Sequence, residues 1–318
     1  MSSEPPAGVV PGGTLPPGTG VQVVVPCRDD GRFLDECLAS VVAAAAAAGV
    51  GDVEVTIVDD GSTDPGTLAV LAARETAGWQ VVWTPGLGLP AARNAGAAVS
   101  SSAAVLPLDV DNRLLPALLG GVALVTAGHA DVVHGPWREF GARDAVVVPP
   151  PDPADALRPL NQIDNCALYS RTALAGVGGW DAGLPLWEDW DLLLRLHASG
   201  ARFARLDDVT FEYRVRDHSL SGGFFGLMCA GPVLGEFVAR HPLLHAFHRA
   251  HPTVYAEQFA GTAVDLTGLE PPRPRRRPPA WLVRPVRPLV RWWRSRTGGA
   301  GAAGGGAGVD AGTGWGSG

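Results

Sequence analysis

The chain has 318 residues, 46% of them hydrophobic and 18% charged, enough to bury one large core or two modest ones. A formal net charge of −7 argues against a general nucleic-acid binder, which carries a broad basic excess. No apolar run reaches about 18 residues, and no basic start with an apolar stretch opens the chain, so neither a spanning helix nor a secretion signal is expected.

Residues 1–19 are rich in Pro, Gly and Ser and read as a disordered leader. The apolar run Val21–Val25 ends at Pro26 and predicts a buried strand. A helix is expected over Arg32–Ala48, stopped by Gly49. Val53–Val58 predicts a second strand. Asp64-Pro65 supplies an N-cap and a favoured first helical residue, so a helix should run to about Ala77. Gln80–Trp83 and Ala103–Leu108 read as strands, with a helix over Ala91–Val99 between them. This alternation implies a mainly parallel sheet flanked by helices, whose ligands gather at the carboxyl ends of the strands. Further on, Asp131–Gly135 and Ala145–Val148 look like strands, and Pro149–Pro159 like a surface loop. Leu186–Ser199 looks helical, Arg202–Arg214 suggests one or two closing strands, and Phe224–Phe259 is helical with a break at His241-Pro242. The four cysteines (Cys27, Cys37, Cys166, Cys229) form no CxxC pair and read as buried thiols in a reducing cytoplasm.

Polar clusters fall where those strands end. After the second strand stands Asp59-Asp60-Gly61-Ser62-Thr63-Asp64. A turn with a helix cap needs only Asp64, and two further carboxylates side by side repel each other. An outside partner such as a ribose or base edge is therefore expected to bind them. After the fourth comes Asp109-Val110-Asp111; alternation along an extended segment puts both carboxylates on one side, an oxygen-rich site suited to Mg²⁺ or Mn²⁺. The run Trp187-Glu188-Asp189-Trp190-Asp191 opens a helix. Acids there favour the helix dipole, while tryptophans interleaved with acids also suit a sugar ring beside a general base. No phosphate loop of the GxxxxGK[ST] kind and no GxSxG elbow occurs.

With those residues in view, the sequence resembles family 2 glycosyltransferases of the GT-A fold, a Rossmann-like α/β architecture, over about Val21 to Leu220. The segments that carry the resemblance are VVVPCRDDGRFLDECLASV, VTIVDDGSTD, GLPAARNAGAA, LPLDVDN, GGWDAGLPLWEDWDLLLRL and YRVRDHS, in the family's order. The resemblance implies a GT-A domain over 20–222, with a nucleotide-binding half (20–112) and an acceptor half (113–222). It implies a nucleotide-sugar donor, with UDP favoured, framed by Pro26, Arg28 and Asp30 and contacted by Asp59, Asp60, Arg93 and Asp109. Asp111, with Asp109 and His218, would hold Mn²⁺ or Mg²⁺. Asp189 would be the general base with Glu188 beside it, Trp187 and Trp190 would face the acceptor, and transfer would invert the anomeric carbon. A catalytically silent sugar-nucleotide or glycan-binding module and a nucleotidyltransferase are the competing readings.

Beyond the domain, 223–262 reads as a helical C-terminal extension, 263–297 as a basic Pro/Arg/Trp segment and 298–318 as a disordered Gly/Ala tail. Within the basic segment, 272–297 contains no acid and alternates arginines with Trp and aliphatic residues. A solvated linker explains that composition, as does peripheral contact with an anionic membrane near a lipid-linked glycan acceptor, which would suit cell-envelope polysaccharide assembly on the cytoplasmic side.

Overall fold

In the computed structural model, which describes residues 9–11, 15–158, 160–184, 187–216 and 237–250, every residue of the strand Val21–Cys27 (β2) is buried. The same holds for Val53–Asp60 (β3) beside it. Strands apolar on both faces need a cover on each side. Val23, Val25, Val55 and Ile57 face one core with the helix Leu34–Ala48 (α1), whereas Val24 and Val58 face a second core with Leu89–Ala97 (α3). α1 buries Leu34, Cys37, Leu38, Val41, Ala44 and Ala45, a helical stripe, and ends at Gly49 with φ 65°. Each of Leu34, Leu38 and Val41, so buried, contributes about 1.5–3 kcal/mol.

Val9–Pro11 is β1, Pro65–Thr76 α2, Gln80–Thr84 β4, Ala104–Pro107 β5 and Arg113–Leu114 β6. Pro116–Gly120 is α4, Val122–Thr126 α5, Val132–His134 β7, Trp137–Gly141 β8 and Ala145–Val147 β9. Pro153–Leu157 is α6, Leu168–Ser170 β10, Arg171–Gly176 α7 and Glu188–Ala198 α8. Phe203–Arg205 is β11, Phe211–Val215 β12 and Pro242–Ala250 α9.

Among the described residues an eight-stranded sheet runs β1-β3-β2-β5-β10-β7-β11, with β4 also on β3. Its pairings are parallel except those of β10, which is antiparallel to β5 and β7. A smaller sheet, β6-β12-β8-β9, stands apart from it. The fold is thus the mainly parallel α/β sheet that the alternation implied.

α2 begins as its sequence dictates: Asp64 accepts the Thr67 N–H at 2.7 Å and Pro65 sits at the first helical position. α3 lies hard against the sheet at Gly96, where an added Cβ would come within 2.4 Å of Val24 Cγ1 and 2.8 Å of Val58 Cγ2.

Several expectations need correction. The leader is not wholly without structure, because β1 pairs with Val53–Val55 and the Leu15 N–H donates to Glu54 Oε1 at 2.7 Å. The Pro-rich stretch is not only loop: Asp152 caps α6 by accepting the Ala154 N–H, with Pro153 behind it. β8 and β10 were not anticipated. The helical expectation over 224–259 is met where it falls on described residues, with helix at 237–240 and α9 on either side of His241. His218, Cys229 and the basic segment lie outside the described residues. No helix among the described residues is long and apolar enough to cross a membrane.

Candidate active site

The carboxyl ends of β2, β3 and β5 deliver three polar loops to one edge of the sheet. Pro26 is buried within β2, Arg28 is exposed, and Asp30 takes Arg32 at 3.2 Å and Arg216 at 2.9 Å. Asp29, at φ 55°, was not singled out by the sequence. Its Oδ1 accepts the Thr63 and Asp64 N–H groups at 2.6 and 2.7 Å, tying the first loop to the second. Those two N–H groups hold its carboxyl below the usual range.

Asp59 and Asp60 are nearly fully buried, and the chain itself satisfies both. Asp59 accepts the N–H groups of Gly61 and Ser62 at 3.1–3.3 Å. Asp60 accepts those of Leu87 and Gly88 at 2.6 and 3.0 Å, and the Thr84 hydroxyl at 3.1 Å. The argument that two adjacent acids require an outside partner is therefore corrected. Their partners are backbone donors and the Thr84 hydroxyl, the Leu87 N–H lying 27 residues away in the loop before α3.

Arg93 organises the centre. Its side chain is 2% exposed; Nη2 donates to Asp109 Oδ1 at 2.8 Å and Nη1 to Glu188 Oε1 at 2.7 Å. Burial alone would pull the guanidinium down, but Asp109 and Glu188 hold it charged. One arginine thus joins the loop after β5 to the start of α8, whose Glu188 lies 95 residues beyond Arg93 in sequence. Asp111 is held separately: Arg216 Nη2 lies 2.8 Å from Asp111 Oδ2 while its other nitrogen holds Asp30. Burial, then the neighbouring charge of Asp109, pushes the Asp111 carboxyl up to about 6. Asp109 and Asp111 lie past the strand end, where the Asn112 N–H closes a turn on Asp109 O. They therefore meet different arginines although their charges interact.

α8 begins after Trp187, which has φ 59°. Asp189 Oδ1 accepts the Trp190 N–H at 2.7 Å, and Oδ2 accepts Asn161 Nδ2 at 2.9 Å. Burial and the charge of Glu188 push this carboxyl up to about 6. Trp187 is partly exposed and packs 5.0 Å from the Phe237 ring. Trp190 is 1% exposed, its Nε1 donates to Leu157 O, and Phe237 covers it at 5.1 Å. The expectation that Trp190 faces an acceptor is corrected: it is core.

Two residues near these groups escaped sequence reasoning. Asp164, pushed up to about 7 by burial with further contributions from Asp109 and Asp189, accepts the Cys166 N–H at 2.8 Å. Asn161 touches Asp189 directly. Both follow α6 in a segment whose sequence carries no recognised motif.

Residues 22–174 match the model of glycosyl transferase family 2. Over that segment the chain is similar to glycosyltransferase family 2. The succinoglycan biosynthesis protein ExoU of Rhizobium meliloti is 28% identical over 226 residues. That match covers 64% of each chain, so this chain spans less than two-thirds of the relative's length. Solved structures of similar fold include S. aureus TarS 1–349 in complex with UDP-GlcNAc, at 17% identity and TM-score 0.55. That match covers 77% of this chain and 76% of TarS 1–349. Another is the mannosyltransferase PcManGT from Pyrobaculum calidifontis in complex with GDP-Man and Mn²⁺. There the identity is 20%, the TM-score 0.54, and coverage is 83% of this chain and 81% of that one. The fold is GT-A.

The donor set fits a hard divalent cation in part. Asp109 and Asp111 offer carboxylate oxygens, and the partly buried Asp111 already draws a guanidinium against it, which marks a position that calls for positive charge. Among the described residues no third His, Cys, Asp or Glu joins them in a metal-binding group.

Proposed function

We propose that this chain is an inverting glycosyltransferase that moves a sugar from a nucleotide-diphosphate donor, UDP-linked by family preference, to a hydroxyl acceptor. The observation that carries the reading is Arg93, which bridges Asp109 at the donor side to Glu188 beside Asp189. Carboxylates from distant parts of the chain thereby share one rim of the sheet, where ligands of parallel α/β folds bind. The nucleotide-binding half spans 20–112 and the acceptor half 113–222. The loops carrying Pro26, Arg28, Asp30, Asp59 and Asp60 frame the nucleotide, with Asp59 and Asp60 acting through the loops they hold as well as through their own oxygens.

Asp189 takes the proton from the acceptor hydroxyl as that oxygen attacks the anomeric carbon. A carboxyl lifted to about 6 is a stronger base than an ordinary aspartate and is still ionised at pH 7. A single base activating one direct attack inverts the anomeric configuration. Asp109 and Asp111, with His218 from outside the described residues, are the residues that would hold Mn²⁺ or Mg²⁺. When bound, such a cation supplies charge neutralisation on the departing diphosphate. Trp187 is the aromatic left to face the acceptor, a glycan of cell-envelope polysaccharide or a lipid-linked intermediate reached from the cytoplasmic side. The basic segment 272–297 would assist there by peripheral membrane contact.

Asp189→Asn separates chemistry from binding. The variant is expected to lose transfer at least a hundredfold, within the range for removal of a general base, while binding the nucleotide donor as the wild type does. Transfer at the wild-type rate would remove Asp189 from the mechanism.

A further inference from the structure

The base assigned above is held by a residue that no motif identifies. Asn161 Nδ2 lies 2.9 Å from Asp189 Oδ2, and Asn161 Oδ1 accepts the Ile163 N–H at 3.2 Å. A backbone N–H only donates, so the atom facing it is the amide oxygen and the NH₂ group points at Asp189. The orientation of the amide is therefore fixed by the chain. The other Asp189 oxygen accepts from Trp190 N–H, so each carboxylate oxygen has one donor in a set direction.

The segment that presents Asn161 is pinned on both sides. Before it, Leu157 O accepts Trp190 Nε1 at 2.9 Å, and the Gln162 N–H donates to Ala156 O at 2.9 Å. After it, Asn165 Oδ1 accepts Trp180 Nε1 at 2.9 Å, and Ile163 is buried. The tryptophan next to Asp189 in sequence thus anchors the same segment that returns to hold the Asp189 side chain.

We infer that Asn161 is a positioning residue for the reaction: its amide fixes the Asp189 carboxylate and favours its ionised form, so that one oxygen stays aimed at the acceptor hydroxyl. The inference rests on Asp189 being the base. A hydrogen bond to the charged form of an acid favours that form, so removing the donor must raise the affinity of Asp189 for its proton. Replacing the amide by a second carboxylate of the same shape must raise it further, because a like charge then faces it. The other titratable groups bearing on Asp189 include Glu188, which opposes ionisation, Arg93, which favours it, and Asp164 and Tyr169, whose own titration feels the Asp189 charge. None is altered by these changes.

The test titrates Asp189 directly in the full chain labelled with ¹³Cγ-aspartate, its resonance assigned by loss of the signal in Asp189→Asn. Asn161→Ala is expected to raise the Asp189 midpoint by about half to one pH unit, and Asn161→Asp, which keeps the shape and the Ile163 contact, by more than that. Midpoints equal to wild type in both variants would overturn the inference. If Asn161→Ala fails to fold, the isosteric Asn161→Asp alone decides. The Asp189→Asn chain separates the two claims: if it still transfers sugar, Asp189 is not the base. If it is inactive and the midpoints do not move, only the positioning role fails.

Discussion

Replacing Arg93 by Met tests the centre of the site through stability, with no need to know any ligand. The guanidinium is 2% exposed, Glu188 15% and Asp109 38%. Removing one partner of a buried ion pair typically costs about 3–5 kcal/mol, because the remaining charge stays out of water without compensation. Asp109 lies on the wetter side and recovers part of its hydration, so the expected loss is about 2–4 kcal/mol. Most of that arises at Glu188. For a folded unit of this size each kcal/mol lowers Tm by about 2–4 °C, giving a fall on the order of 5–15 °C. Urea denaturation and thermal melts, followed by circular dichroism, read both quantities. Adding Glu188→Gln to Arg93→Met is expected to restore about 1 kcal/mol or more, since a neutral amide no longer demands a cation. Arg93→Lys keeps the charge but lacks the fork that reaches both acids, and should recover less than half of the loss. A loss below about 0.5 kcal/mol in Arg93→Met would refute this reasoning, as would a Glu188→Gln change that only adds a further loss.

Gly96→Ala places a methyl against Val24 and Val58 where no room exists, and is expected to cost about 1–3 kcal/mol in urea denaturation; a neutral result would mean that α3 shifts freely. Asp164 is an acid raised from about 4 in the unfolded chain to about 7 in the fold. The folded state therefore binds the proton more tightly, and stability falls as pH rises from about 4 to about 7. Burial sets this shift, with Asp109, Asp189 and Arg93 bearing on it, so Asp164→Asn should shrink the stability difference between pH 5 and pH 8. Parallel curves for the two proteins would contradict it. For the reaction itself, protonation of Asp189 removes the base, so the transfer rate should fall about tenfold per unit as pH drops below about 6. A rate flat from pH 4.5 to 8, followed by release of nucleoside diphosphate, would count against that role.

The first half of the sheet was legible because its strands are dense β-branched runs and its helices carry their own punctuation. Gly49 closes α1, and Asp64-Pro65 opens α2. The convergence of Asp109, Glu188 and Asp189 was legible only through the order of motifs along the chain. Nothing local says that Arg93 reaches residues 16 and 95 positions away. Reasoning from charge failed at Asp60 for the same reason, since it is satisfied by Leu87 and Gly88, which the sequence keeps distant, whereas Asp59 is satisfied within its own turn by Gly61 and Ser62. Trp190 was misjudged although the signal was present. With Leu193 and Leu194 it marks the three-and-four spacing of a buried helical face, and that outweighs its acidic neighbours. β1 was hidden because three residues in a Pro/Gly-rich leader carry no periodicity. α6 was hidden by its prolines, although Asp152-Pro153 repeats the cap that marked α2. Asn161 and Asp164 acquire meaning only from the fold, for an Asn and an Asp in a connecting segment look like any other polar loop.

The central claim is that Asp109, Asp111 and Asp189 line one cleft built for a nucleotide-sugar. A thermal-shift series addresses it most directly: UDP- and GDP-sugars added to the full chain, with Mn²⁺ or with a chelator, beside the Asp111→Ala variant. At least one donor should raise Tm by several degrees with Mn²⁺, and both chelation and Asp111→Ala should erase most of that rise. No response to any nucleotide-sugar, in either condition, would contradict the account.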